Sequence, residues 1–114
     1  MSTVADVHKS SIQAENYEPF MYEGKETGEV SWLRTESGGE GMLFAGLWRT
    51  EPITVDYAFE GDETFQVLKR RVRIEVEGQD PVELAQGDIA SFRKGTKAMW
   101  YVTEPFQKFF VISG

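Results

Sequence analysis

Short stretches in which apolar and polar residues alternate constrain the fold of this chain more than any other feature. The clearest runs from Arg71 to Glu77, where charged residues alternate with β-branched apolar residues without a break. Successive side chains of a β-strand point to opposite faces, so this pattern predicts a strand with one wet face and one buried face.

The same period of two recurs along most of the chain after Gly28. The strand candidates are Val30 to Arg34, Met42 to Thr50, Ile53 to Phe59, Glu63 to Leu68, Arg71 to Val76, Pro81 to Leu84, Ile89 to Phe92, Ala98 to Val102 and Gln107 to Ile112. Turn-forming residues separate them, as at 60–62 and 86–88, and no helical period lies between them. Many short strands at close spacing predict an all-β sandwich or barrel.

The length of the chain, 114 residues, suits one domain with one hydrophobic core. We divide it into an N-terminal arm, residues 1–28, which is polar and acidic, and a β-barrel domain, residues 29–114. Within the arm, the cluster from Tyr17 to Tyr22 is too apolar for a free tail. We therefore expect this cluster to pack against the barrel or against a second subunit.

The charge balance disfavours several classes of partner. Twelve Lys and Arg against nineteen Asp and Glu give a net charge of -7. A general affinity for nucleic acid phosphates or for an anionic membrane surface is therefore disfavoured, and we expect neither partner.

Cysteine content and hydropathy bear on the compartment. The chain has no cysteine, which excludes disulfides, thiolate metal sites and a cysteine nucleophile. No apolar run approaches the roughly 18 residues that a membrane span needs, and the start of the chain lacks a basic region followed by an apolar one. We expect a cytoplasmic protein.

A spaced pattern within the strand candidates consists of Tyr57-x-Phe59-x-x-x-Glu63, then Gly87-Asp88, then Gly95-x-x-Ala98. It resembles the two cupin motifs. Further matching stretches, in the same order along the chain, are Gly46 to Pro52, Asp62 to Leu68, Lys94 to Thr96, Trp100 to Val102 and Lys108 to Ile112. The chain from Met42 to Ile112 thus resembles the cupin superfamily, specifically small single-domain cupins related to the cupin domain of ureidoglycine aminohydrolases.

This resemblance implies a fold and an assembly. The implied fold is an RmlC-like jelly-roll barrel of antiparallel strands, open at one end, with a pocket lined from within. Small cupins of this kind often pair through strand faces. Together with the apolar cluster in the arm, this leads us to expect a homodimer.

Most of the positions that hold a metal in cupins do not carry the usual metal-binding residue here. The usual pattern supplies three histidines and one Glu, but Tyr57, Phe59 and Ala98 stand at the histidine positions and Glu63 alone remains. One carboxylate rarely holds a transition metal, so we expect neither a metal nor another cofactor. Cupins also usually place Gly seven residues after this Glu, where the chain has Arg70.

Glu63 shares strand parity with Phe65 and Val67, so it should face inward with them. A buried carboxylate must be paired, protonated or bound to a cation. Glu63 is therefore either a general base or anchor for a cationic or hydroxylated ligand, or a structural residue bonded to a neighbouring Tyr, Lys or Arg. No basic residue shares its face on the same strand, so we expect an unpaired carboxylate unless Arg93 or Lys97 reaches it.

Aromatic residues should surround Glu63. Tyr57 and Phe59 share a strand face, and they either fill the space of the absent metal, which we favour, or form a platform for an apolar ligand. The candidate ligand-binding residues are Tyr57, Phe59, Glu63, Phe65, Ala98 and Trp100. Among them, Glu63 and Tyr57 are the candidate catalytic residues.

Two classes of function remain open. The first is a module that binds a small organic molecule without chemistry of its own. The second is a metal-independent isomerase, epimerase or hydrolase of a small nitrogen-containing or sugar metabolite, with Glu63 as base and Tyr57 as acid. His8 is the only histidine and lies in the arm, so this chain alone cannot form a Ser-His-Asp triad.

We predict that the purified protein carries no stoichiometric transition metal, because one oxygen ligand replaces the three or four that metal sites need. Elemental analysis of the purified chain checks this. One equivalent of tightly bound Zn, Mn, Fe or Ni that disappears in Glu63→Ala would contradict it.

Overall fold

The structure is a computed structural model that describes residues 7–114, and the first six residues of the expected arm lie outside this range. The strands are β1 (Glu18–Tyr22), β2 (Lys25–Arg34), β3 (Leu43–Thr50), β4 (Ile53–Ala58), β5 (Asp62–Lys69), β6 (Arg71–Val76), β7 (Val82–Ala85), β8 (Ile89–Phe92), β9 (Lys97–Val102) and β10 (Phe106–Ser113). Within residues 7–114 there is no helix that could cross a membrane.

The strands form two antiparallel sheets. A six-stranded sheet has the order β1-β2-β3-β10-β5-β8, and a four-stranded sheet has the order β4-β9-β6-β7. Sequence neighbours such as β5 and β6 lie in different sheets, so the chain passes repeatedly from one layer to the other. The predicted all-β barrel is confirmed.

The inward faces of the two sheets meet in a core rich in aromatic residues. The ring of Phe92 stacks on Phe59, with centroids 4.8 Å apart, and on Phe65, with centroids 5.8 Å apart. Ile74 contributes from the four-stranded sheet and is fully buried. Each of these residues lies in phase with the apolar positions of its strand or strand end, as the period of two predicts.

The expected boundary between arm and barrel, after residue 28, lies inside β2. The sequence patterns also did not predict β1, which pairs with β2 through a two-residue turn at Glu23 and Gly24. Both turn residues have positive φ, 50° and 78°, which is the backbone of a type I′ hairpin turn. Asn-Gly or Asp-Gly is the usual sequence signal for this turn. In Glu-Gly only the Gly matches this signal.

The chain before β1 contacts the six-stranded sheet of the same molecule. The Tyr17 hydroxyl accepts a hydrogen bond from Gln107 Nε2 at 2.9 Å, and the Arg49 guanidinium lies 3.6 Å from the Tyr17 ring centroid. Ser31 Oγ donates to Asn16 Oδ1 at 2.9 Å. The apolar cluster of the arm therefore packs against its own barrel, and the homodimer stays a prediction.

Arg70 is the single residue between β5 and β6, and its φ of 67° lies in the left-handed region. This is the position at which cupins usually have Gly. A residue with a Cβ is strained in this region by about 1 to 2 kcal/mol. The ion pair of Arg70 with Glu104 spans 3.9 Å between exposed side chains, so it compensates little.

We predict that Arg70→Gly raises the free energy of unfolding by roughly 0.5 to 1 kcal/mol, because Gly adopts positive φ without strain. Arg71→Gly, at the exposed first position of β6, is the matched control and should lower it by a similar amount. Urea unfolding followed by tryptophan fluorescence measures both. Equal destabilisation by the two substitutions would contradict the prediction.

Candidate functional site

A buried ion pair joins the neighbouring strands β5 and β10 of the six-stranded sheet. Lys108 Nζ lies 2.5 Å from Glu63 Oε2, and the two side chains are 7% and 2% exposed. In the register of the strands, Glu63 lies opposite Ile112, and Lys108 lies opposite Val67. Both side chains face inward, so the lysine extends along the inner face of the sheet to reach the carboxylate.

This contact corrects the expectation of an unpaired carboxylate. Arg93 and Lys97, the two basic residues considered as partners of Glu63, are exposed at the surface. Lys108 reaches it instead, from a strand that is distant in sequence. Two roles were considered for Glu63, a functional base or anchor and a structural residue. Its contacts with Lys108 and Tyr57 are those of the structural role.

Aromatic rings enclose the ammonium of Lys108. Its Nζ lies 4.5 Å from the ring centroid of Trp100, 4.6 Å from Phe65, 5.3 Å from Trp48 and 5.4 Å from Phe110. The negative faces of aromatic rings attract a cation. Burial nevertheless lowers the pKa of Lys108, because the loss of water disfavours the ammonium more than Glu63 favours it.

Tyr57 on β4 completes the polar group. Its hydroxyl donates to Glu63 Oε1 across 3.4 Å, and its ring packs edge-on against Phe59 with centroids 4.7 Å apart. Burial, followed by the charge of Glu63, raises the pKa of Tyr57. The phenol therefore stays protonated at neutral pH and acts as a hydrogen-bond donor to the carboxylate.

A cavity of about 60 Å³ borders this group. Its aromatic walls are Phe20, Tyr22, Trp32, Trp48, Trp100 and Phe110, and Glu63, Lys108 and Tyr57 supply polar atoms. The cavity is far smaller than the usual pocket for a drug-sized ligand. It has room for a molecule of a few non-hydrogen atoms or for a few waters.

The structure separates the predicted ligand-binding residues into two groups. Tyr57, Glu63 and Trp100 line the cavity. Phe59, Phe65 and Ala98 are buried in the core and are not part of the cavity wall. The sequence analysis missed Lys108, the two aromatic residues that β1 adds to the wall, and three further aromatic residues of the wall, Trp32, Trp48 and Phe110. For Lys108, its shared parity with Phe106 and Phe110 was an available signal.

One donor in the wall has no partner. Trp100 Nε1 is buried, and no atom of residues 7–114 accepts a hydrogen bond from it. A buried donor without an acceptor is costly, and such groups usually meet a water, an ion or a ligand.

The residues at the cupin metal positions do not fit a metal centre. Phe59 and Ala98 carry no donor atom, and the carboxylate of Glu63 already holds Lys108. Among residues 7–114, no three His, Cys, Asp or Glu side chains come together in a way that could hold an ion. The cation that faces Glu63 is an ammonium of the same chain.

Two facing antiparallel sheets with an inward-lined cavity form a jelly-roll barrel. The family model of the EutQ-like cupin domain matches residues 37–110, more than half of the chain, and the chain belongs to this cupin family. None of the curated proteins matches the chain.

Solved structures of cupins resemble this one. A DUF861 family protein from Thermotoga maritima is 28% identical, with a TM-score of 0.54 over 56% of this chain and 73% of that one. The EutQ protein of Clostridium difficile is 20% identical, with a TM-score of 0.66 over 80% and 71%. An RmlC-like cupin from Methanocaldococcus jannaschii is 15% identical, with a TM-score of 0.60 over 90% and 93%. The last two show the fold alone.

We predict that Lys108→Met lowers the free energy of unfolding by roughly 3 kcal/mol, because it leaves Glu63 buried without its cation. Lys97→Met, the same substitution at an exposed lysine, should change it by less than about 0.5 kcal/mol. The double variant Glu63→Gln with Lys108→Met should be more stable than Lys108→Met, since it buries no charge.

Urea unfolding of the three variants measures these differences. A Lys108→Met variant as stable as Lys97→Met would show that the ion pair contributes nothing to folding. A double variant that is less stable than Lys108→Met would show that the stability lost in Lys108→Met does not come from an unpaired charge on Glu63.

Proposed function

We propose that this chain is a binding module whose cavity takes a small neutral organic molecule. The observation that carries the proposal is an aromatic cavity whose charged residues, Glu63 and Lys108, already neutralise each other, and whose wall residue Trp100 has a buried Nε1 without an acceptor. A charged ligand would have to give up its water without a free counter-charge, which is costly. A neutral molecule with one polar group avoids this cost.

The side chains of the wall have distinct roles in this proposal. The apolar part of the ligand packs on rings such as Phe20 and Trp32, which supply most of the contact area. A carbonyl or hydroxyl oxygen accepts a hydrogen bond from Trp100 Nε1. Glu63, held by Lys108 and Tyr57, offers an acceptor to a ligand hydroxyl.

The contact of Tyr57 with Glu63 supports a second candidate, a metal-independent enzyme with Glu63 as base and Tyr57 as acid. Two groups that can exchange protons lie 3.4 Å apart beside one cavity. The raised pKa of Tyr57 makes it a weak acid, and Lys108 reduces the availability of Glu63 as a base. Binding is therefore the proposal that the contacts support better.

We predict that small neutral molecules raise the melting temperature of the protein more than charged molecules of the same size. Propanol, acetone and propionamide represent the first class, and propionate and propylamine the second. Thermal melting and tryptophan fluorescence titrations measure binding. Equal or stronger effects of propionate or propylamine would contradict a neutral ligand.

A matched pair of variants tests the location. Val55 lines the cavity, so Val55→Phe should fill it and abolish the response to propanol. Val82 packs against the same core outside the cavity, so Val82→Phe should keep the response. A response that survives Val55→Phe would place the binding elsewhere.

A further inference from the structure

Lys108 combines the properties of a nucleophilic amine. Its side chain borders the cavity and is almost entirely buried among aromatic rings, and a carboxylate lies within proton-transfer distance of Nζ. Lysines in apolar pockets form Schiff bases with carbonyl compounds, because desolvation leaves more of the amine unprotonated. The lowered pKa of Lys108 agrees with this geometry.

We propose that Lys108 forms a Schiff base with a short-chain aliphatic aldehyde admitted to the cavity, with Glu63 as the group that accepts and returns the proton. This inference rests on the proposed binding of small neutral molecules and names the reactive class among them.

The reaction balances with the groups present. Glu63 Oε2 takes a proton from the Lys108 ammonium, and the amine lone pair forms a bond to the carbonyl carbon. The carbonyl π electrons move to oxygen, which takes the proton back from Glu63 and becomes a hydroxyl. Glu63 then removes a second proton from nitrogen and delivers it to the hydroxyl. The C–O bond breaks, water leaves, and a protonated imine remains.

The surroundings of Nζ suit the product as well as the free lysine. The protonated imine keeps one positive charge on the nitrogen, so the carboxylate of Glu63 and the rings of Trp100 and Phe65 still face a cation. Tyr57 is a positioning residue, because its hydroxyl holds the other oxygen of Glu63. No charge is left unpaired at the end of the reaction.

The size of the cavity selects the aldehyde. A volume of about 60 Å³ suits a chain of a few carbons better than an aromatic ring with a substituent, a sugar or a pyridoxal. Propanal is the probe that fits this limit, and pyridoxal is the matched probe that exceeds it.

Reductive trapping of the full-length chain tests the proposal. The protein is incubated with propanal and cyanoborohydride, which reduces the imine, and peptide mass spectrometry then locates the propyl group. Lys108 should carry the label in preference to the exposed Lys97, and pyridoxal with the same reductant should not label it. A label on Lys97 and other exposed lysines without Lys108 overturns the proposal.

Two variants keep the test decisive. Lys108→Arg retains the cation for Glu63 but has no nucleophilic amine. The propyl label should therefore disappear from the peptide that contains residue 108, while any label on Lys97 should be unchanged. Val55→Phe retains Lys108 and blocks the cavity, so it should lose the Lys108 label even if Lys108→Arg does not fold. A Lys108 label that persists in Val55→Phe contradicts entry through the cavity and overturns the proposal.

Propanol separates the two proposals, since it has the size of propanal but no carbonyl. If propanol shifts the melting temperature and propanal leaves Lys108 unlabelled, the Schiff base is wrong and binding stands. If neither propanol nor propanal has any effect, the binding proposal fails and the Schiff base fails with it.

Discussion

The ion pair of Glu63 and Lys108 is the interaction on which the rest of the barrel interior depends. Two charges removed from water are tolerated only when each compensates the other and hydrogen bonds satisfy the remaining atoms. This requirement fixes β5 and β10 in one register, because the lysine reaches the carboxylate only along the shared inner face. The surrounding rings exclude water and thereby strengthen the attraction within the pair.

The same pair explains how a cupin barrel holds together after losing its histidines. The carboxylate at the position of the cupin metal-binding Glu faces a positive charge, and Lys108 supplies this charge. Tyr57, at one histidine position, donates to that carboxylate, and Phe59, at another, fills the interior with its ring. The carboxylate at this position thus has its counter-charge from the chain itself.

Period-two reasoning predicted most of the strands and the inward orientation of Glu63, because those strands have one wet face that marks the register. It could not predict the partner of Glu63. The two residues are 45 positions apart, and their meeting depends on the order of strands in the sheet. In β10 the consecutive residues Gln107 and Lys108 are 5% and 6% exposed, so both faces are covered, and the parity of Lys108 with Phe106 and Phe110 is a weaker signal than an alternation of wet and buried positions.

Binding and chemistry draw on the same contact in different ways. An anchor for a neutral ligand needs the proton to stay on Lys108, so that the pair remains an ion pair and Glu63 can accept a hydrogen bond. A nucleophile needs the proton to pass to Glu63, and burial assists this transfer because the neutral pair of amine and carboxylic acid carries no charge that needs water. In the two proposals, one hydrogen bond therefore serves the resting barrel in one protonation state and a carbonyl ligand in the other. The aromatic walls, which lower the local dielectric, bring these two states closer in free energy than they are in water.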